Sequence, residues 1–405
     1  MSINLLFLDV LNSAINNHGF DAKSPVSSSE YVELFNLAEK HKLLPLVFDK
    51  LYDTYPYDKN ELDEVKRRVK FLLYRQVIKT EQIMSLYQDF TANNIHPLIF
   101  KGVVCKSLYP KPDLRISSDE DILVSDDDFE ICTKVLQDNG FFPDESVNEC
   151  ENHLTFRNAE QMTIELHKKL FVRDDDYFES YNDLFKDVFE DGVFIKVNDV
   201  DIKTLNYTEN LLYLILHSLK HFIGRGVGIR QFCDIVLFAE KYASDIDWNK
   251  LYTGCKSVNA DYYTAAIFKI GKKYLGKEID CFQNNEYWSK IEVDEKPLLE
   301  DVLSGGVYGC VSDSQNLSGV FSFSMMKNSN NGIVKTIFCS SKNLNEKYSY
   351  AKKYPVLLPI AWIHRFFFLM TGKEHHKAGV VFKSMKAGKK RSKLFDTYKI
   401  KSNMP

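Results

Sequence analysis

The chain has 405 residues, 44% hydrophobic and 27% charged, with a formal net charge of -4. That length can bury sizeable cores in two or three structural units, and the acidic balance argues against a protein built chiefly to hold nucleic acid. Its eight cysteines are scattered with no C-x-x-C pair, so neither a zinc ribbon nor a disulfide framework is indicated, and a reduced cytoplasm is the expected setting.

Met1 to Phe20 lacks a basic leader and carries Asp9 inside its apolar part, so it reads as a helix rather than a signal peptide. Lys59 to Asn93 is free of Gly and Pro and places apolar residues near helical spacing, which predicts a long helix. Asn94-Ile95-His96-Pro97 marks a switch to strand. Pro97 to Phe100 is an apolar strand-like run that meets Lys101-Gly102, followed by a helix-compatible stretch and Arg115. Asp119 and Asp121 head a second apolar run, Ile122 to Val124. Asp126-Asp127-Asp128 reads as a loop capping a helix through Asn139. His153 to Arg157 and Thr163 to His167 are spaced to pair as a hairpin, as are Val193 to Val197 and Val200 to Lys203 around Asn198-Asp199. Together these predict a small α/β unit with a mixed sheet.

Side chains at i and i+2 of a strand share a face, so Asp119 and Asp121 can reach one cation together. Glu165, in the run Met162 to His167, would complete an acidic trio from an adjacent strand. Three hard oxygen donors suit Mg²⁺, which shares its remaining positions with waters and phosphate oxygens. An acidic stretch alone is ordinarily a solvated loop; the apolar run directly after Asp121 is what sets this pair apart. An EF-hand does not fit, because the required glycine is absent. Lys101, before a helix start, is either an exposed lysine or a donor to a triphosphate. Arg115 either contacts phosphate or clamps Asp119.

From Tyr207 the period is helical again. His217 and His221 share a helix face at a spacing that can bind a metal, but the further ligands of zinc hydrolases do not follow them, so they read as half-buried histidines bonding to neighbours. Gly224-Arg225-Gly226-Val227-Gly228 reads as an interhelical turn. Arg230 and Asp234, also i and i+4, form a structural ion pair or free Arg230 for phosphate. Loops are expected at Gly305-Gly306 and at Asn328 to Gly332. Tyr354 to Met370 is very apolar but holds two prolines and His364-Arg365, so it reads as a buried helix, or else an interfacial one whose Lys-rich tail, Lys383 to Lys401, is drawn to anionic lipid; spanning does not fit.

The ordered set Lys101-Gly102, Tyr109-Pro110, Arg115, Asp119-Glu120-Asp121 and Glu165-Leu166-His167, with His217, His221, Arg230 and Asp234 beyond, resembles the bacterial uncharacterised nucleotidyltransferase family of the DNA polymerase beta-like superfamily. The resemblance covers roughly residues 30–275. It departs at Gly102-Val103, where the wider superfamily often has Gly-Ser or Gly-Gly. It implies an α/β (α+β) core with a mixed sheet, between helical N- and C-terminal regions. The expected divisions are 1–95 helical, 96–205 nucleotidyltransferase core, 206–276 helical, and 277–405 mixed. The implied reaction is Mg²⁺-dependent transfer of a nucleoside monophosphate, AMP from ATP, to a hydroxyl or phosphate of a small-molecule, sugar or peptide acceptor, in surface-polysaccharide or secondary-metabolite synthesis. Asp119, Asp121 and Glu165 would be catalytic and metal-binding. Lys101, Gly102, Arg115 and Arg230 would bind nucleotide, and His167, His217, His221 and Asp234 would line the pocket. No nucleic-acid partner is expected. The location is cytoplasmic, with peripheral contact at the inner membrane face as an alternative. A nucleotide-binding regulator without turnover and a membrane-surface interaction protein are the competing classes.

Overall fold

A computed structural model describes residues 2–21, 25–144, 153–171, 176–224, 226–305, 344, 348–371, 388 and 391–401. Arg225, Gly306, the Asn328 to Gly332 loop and residues 383–387 and 389–390 of the Lys-rich tail lie outside the described residues. The chain divides into two compact units, residues 1–218 with 229–295, and residues 219–228 with 296–405.

The first unit opens with three helices, α1 (Ile3–Ile15), α2 (Ser28–Lys40) and α3 (Leu44–Leu51). Ser27 and Glu30 form a capping box at α2, satisfying two backbone donors that a helix start leaves free. The expected long helix is α4 (Asp63–Ala92), entered through a short 3-10 turn, Lys59–Leu62. Asn94, at a φ of 59°, ends it in the left-handed conformation that asparagine tolerates.

Next come β1 (Leu98–Phe100), α5 (Gly102–Lys106), β2 (Asp119–Leu123), α6 (Phe129–Asp138), β3 (Phe142–Pro143), β4 (His153–Arg157) and β5 (Thr163–His167). They build a five-stranded sheet in the order β1-β2-β5-β4-β3. The predicted β4–β5 hairpin is present, with His153 opposite His167 and Arg157 opposite Thr163. β2 and β5 are parallel and all other pairs antiparallel, so the sheet is mixed. The acidic loop before α6 differs from expectation. No side chain caps the helix; Ser125 Oγ instead accepts from the Asp128 N–H at 3.1 Å.

After a short α7 (Asp176–Glu179), β6 (Val193–Val197) and β7 (Val200–Thr204) pair as a separate two-stranded ribbon rather than extending the main sheet. Asn198 and Asp199 both have positive φ, as a two-residue turn matched to strand twist requires. Then α8 (Tyr207–Gly224), α9 (Ile229–Lys241), α10 (Trp248–Ser257), α11 (Asp261–Tyr274) and α12 (Asp280–Gln283) follow. Trp248, Phe268, Phe282 and Trp288 pack as one aromatic cluster beneath α10 and α11.

In the second unit are α13 (Lys296–Gly305), α14 (Ser349–Lys353) and α15 (Leu358–Thr371). Ala361 of α15 packs on Leu344, Tyr348 and Ala351, whereas Val356, Ile360 and Ile363 are exposed. Among the described residues no helix is long and apolar enough to cross a membrane. The chain end is a correction to the sequence reading. Arg391, counted there with the basic tail, is buried. It donates to the Phe222 carbonyl at 2.5 Å and pairs with Asp301 at 3.4 Å. Phe395, Tyr398 and Ile400 are buried too, and the Tyr398 hydroxyl accepts from the Leu298 N–H at 2.9 Å. Periodicity could not reveal this, because the segment packs on elements about a hundred residues away. Truncation from Tyr354 is therefore expected to destabilise the second unit by more than the roughly 3–5 kcal/mol of one large core truncation. Urea unfolding checks it, and a truncated protein with an unchanged midpoint would refute it.

Candidate active site

β2 carries Asp119, Asp121 and Leu123 on one face and Glu120 and Ile122 on the other. Parallel pairing sets Asp121 directly beside Glu165, and Leu123 beside His167. β1 brings Phe100 opposite Asp121, so Lys101 follows at the end of that strand. Asp119, Asp121, Glu165, His167 and His153 therefore share one face of the sheet. Asp121 is almost fully buried, and Asp119 is partly exposed at the strand entrance.

Lys101 Nζ lies 2.6 Å from Asp121 Oδ1. It also lies 5.7 Å from the centre of the Tyr213 ring. Its backbone has a φ of 58° and ψ of -118°, a conformation a lysine rarely holds. Burial works against the ammonium, but the carboxylates of Asp121, Asp119 and Glu165 hold its pKa well above the ordinary value. Burial pushes the Asp121 carboxyl up, and Lys101 pulls the other way. Glu165 behaves oppositely to Asp121: despite burial, the imidazoles of His153 and His167 hold its carboxyl well below the usual range. The His167 imidazole is raised, burial being outweighed by Asp121 and Glu165.

Glu120 explains the neighbouring glycine. Its carboxylate accepts from the Val103 N–H and from Ser117 Oγ, each at 2.9 Å, and pairs with Lys79 at 3.2 Å. A Cβ on Gly102 would stand 1.6 Å from Glu120 Oε2, so only glycine lets the carboxylate reach that backbone N–H. The Val103 amide at the start of α5 is thus occupied by the chain's own Glu120. Sequence reasoning passed over Glu120; the signal was its place between Asp119 and Asp121, which turns it to the opposite face of the strand.

Arg115 also differs from its expected contacts. It grips Asp234 with two bonds, Nε at 3.1 Å and Nη2 at 2.7 Å, and gives Nη1 to the Gly102 carbonyl at 3.2 Å. The Tyr109 hydroxyl adds a third donor to Asp234 at 2.8 Å. Tyr109, Arg115 and Asp234 thus form a buried clamp tying the loop before β2 to α9 (Ile229–Lys241). Asp234 pairs with Arg115 rather than with Arg230. Arg230 is partly exposed, bonds the Ile116 carbonyl at 2.5 Å, and has no hydrogen bond at Nε. His217 Nδ1 meets the Tyr213 hydroxyl at 3.2 Å, which places it one residue removed from Lys101. His221 belongs to the second unit.

The donor set fits a divalent cation. Asp119, Asp121 and Glu165 supply hard oxygens on one face, and buried Asp121 Oδ1 makes no well-directed hydrogen bond. A lysine ammonium already sits where positive charge is favoured. His153, Glu165 and His167 additionally bring three potential ligand atoms within 4.8 Å of one another. His153 was not singled out from the sequence, although the predicted hairpin register puts it opposite His167.

Residues 27–276 match the protein family described as "Uncharacterised nucleotidyltransferase". No curated protein and no solved structure is a significant match.

Proposed function

The chain belongs to the uncharacterised nucleotidyltransferase family and is an enzyme of that class; from that premise we propose that it transfers a nucleoside monophosphate, AMP from ATP, to a hydroxyl or phosphate acceptor with Mg²⁺ held by Asp119, Asp121 and Glu165. The observation that carries this reading is Glu165 lying beside Asp121 across the β2–β5 pair, with Asp119 two residues back on the same face. Mg²⁺ bound there would stabilise charge building on the triphosphate and lower the pKa of the attacking oxygen.

The remaining roles fall to side chains of the chain itself. Lys101 and Arg230 carry the positive charge that meets the triphosphate, Lys101 exchanging Asp121 for a phosphate oxygen along its flexible stem. Glu165, kept ionised by His153 and His167, accepts a hydrogen bond from the acceptor hydroxyl and orients it. Arg115 acts as a positioning residue, holding the Gly102 carbonyl and therefore the β1–α5 turn that presents Lys101.

Pyrophosphate release from Mg²⁺ and each nucleoside triphosphate, with candidate acceptors, tests the reading. Glu165→Gln is expected to lower turnover by about 100-fold or more while leaving nucleotide affinity within a few-fold, because its work is on the acceptor side. Mg²⁺-dependent nucleotide binding without pyrophosphate release from any acceptor mixture would instead make the chain a nucleotide-binding regulator.

A further inference from the structure

Two imidazoles flank the third carboxylate, and nucleotidyl transfer as read above gives their nitrogens no ligand of their own. His153 stands opposite His167 across β4 and β5, with ring centres 4.8 Å apart. Glu165 Oε2 is 3.4 Å from His167 Nε2 and 3.7 Å from His153 Nε2. These contacts are long and off the hydrogen-bond direction: His153 Nε2 and both nitrogens of His167 are buried without a hydrogen-bond partner. The His167 side chain is only 7% exposed.

The spacing is that of ligands around an ion. Donors at roughly 2.0–2.2 Å from a zinc-like centre lie about 3.0–3.5 Å from each other, close to what Glu165 and the two histidines already show. Two neutral imidazole nitrogens and one carboxylate suit Zn²⁺ and the later first-row ions, whereas Mg²⁺ prefers an all-oxygen shell. Asp121 Oδ1, 3.3 Å from His167 Nε2, supplies an adjacent oxygen.

We propose that His153, Glu165 and His167 form a binding site for a transition-metal dication of the Zn²⁺ type, filled without nucleotide. The donors sit on two strands joined by a short turn, so the site is pre-formed by the hairpin register and needs no ligand to assemble it. It shares Glu165 with the Mg²⁺ site read above but stands on its own geometry.

The test uses the full chain stripped of metal, in the absence of nucleotide. Calorimetric titration with Zn²⁺ and separately with Mg²⁺ is expected to show a single Zn²⁺ bound at least about 100-fold more tightly than Mg²⁺, following the preference of imidazole ligands. Co²⁺ added as a spectroscopic probe is expected to give the visible absorption of a nitrogen-ligated ion. His153→Ala and the gentler His153→Gln should each weaken Zn²⁺ binding at least about tenfold and remove that absorption, with circular dichroism reporting the fold. Asp119→Asn should leave Zn²⁺ binding intact. Equal affinity for Zn²⁺ and Mg²⁺, or wild-type Zn²⁺ affinity in both folded His153 variants, would overturn the proposal. Zn²⁺ binding as described with no pyrophosphate release from the Mg²⁺-loaded protein would support this site and count against the transfer reading alone.

Discussion

Asp119→Asn is expected to lower nucleotidyl transfer by at least about 100-fold while the protein stays folded, because a charge that faces the reacting phosphates is lost. Asp119 is partly exposed at the mouth of β2, outside the buried part of that strand. Asp121→Asn separates from it. Asp121 is buried and in contact with the Lys101 ammonium, so removing its charge leaves a buried cation uncompensated. That loss is on the scale of roughly 3–5 kcal/mol, so Asp121→Asn should show both lost turnover and a lowered urea midpoint. Pyrophosphate release measured beside urea unfolding distinguishes the two. Wild-type turnover in folded Asp119→Asn would remove the acid pair from the mechanism.

Arg115→Ala is expected to cost roughly 3–5 kcal/mol of stability, the largest single effect outside the reacting groups, since it strands a buried carboxylate. Asp234 would keep only the Tyr109 hydroxyl, and the Gly102 carbonyl would lose its donor. The cycle with Asp234→Leu is expected to be strongly non-additive, because removing both charges avoids the stranded partner. Arg115→Lys should recover only part of the loss, since an ammonium cannot reproduce the two-bond grip on Asp234. Urea unfolding of the four proteins measures the coupling. An Arg115→Ala midpoint equal to wild type would show that the clamp carries no stability.

These two outcomes also separate roles that look alike in the sequence. Lys101, Arg115 and Arg230 are all basic residues near an acid pair, and each was expected at a triphosphate. Their burial and partners divide them: Lys101 meets Asp121, Arg115 is engaged by Asp234 and the Gly102 carbonyl, and Arg230, a partly exposed residue, bonds the Ile116 carbonyl while its buried Nε has no hydrogen bond. The clamp gives the Tyr109, Arg115 and Asp234 elements of the motif a structural meaning, holding the loop that leads into β2.

The sequence by itself determined the local elements and the side of each strand that every residue faces. The two-residue period put Asp119 and Asp121 on one face, the Asn198-Asp199 turn set the β6–β7 ribbon, and the uninterrupted helix formers of α4 made one long helix. It also contained the β4–β5 register, and with it the position of His153 opposite His167. These follow from interactions between residues close in the chain, which composition and spacing record directly. Only the tertiary structure decided that β2 pairs with β5 in parallel, that Glu120 caps the Val103 amide through the space Gly102 leaves, that Asp234 takes Arg115 across 119 positions instead of Arg230 four away, and that Arg391 and Tyr398 are core residues rather than a solvated tail. Each of those choices depends on which distant groups are buried together, and an ionised side chain removed from water must take whichever partner the packing brings to it.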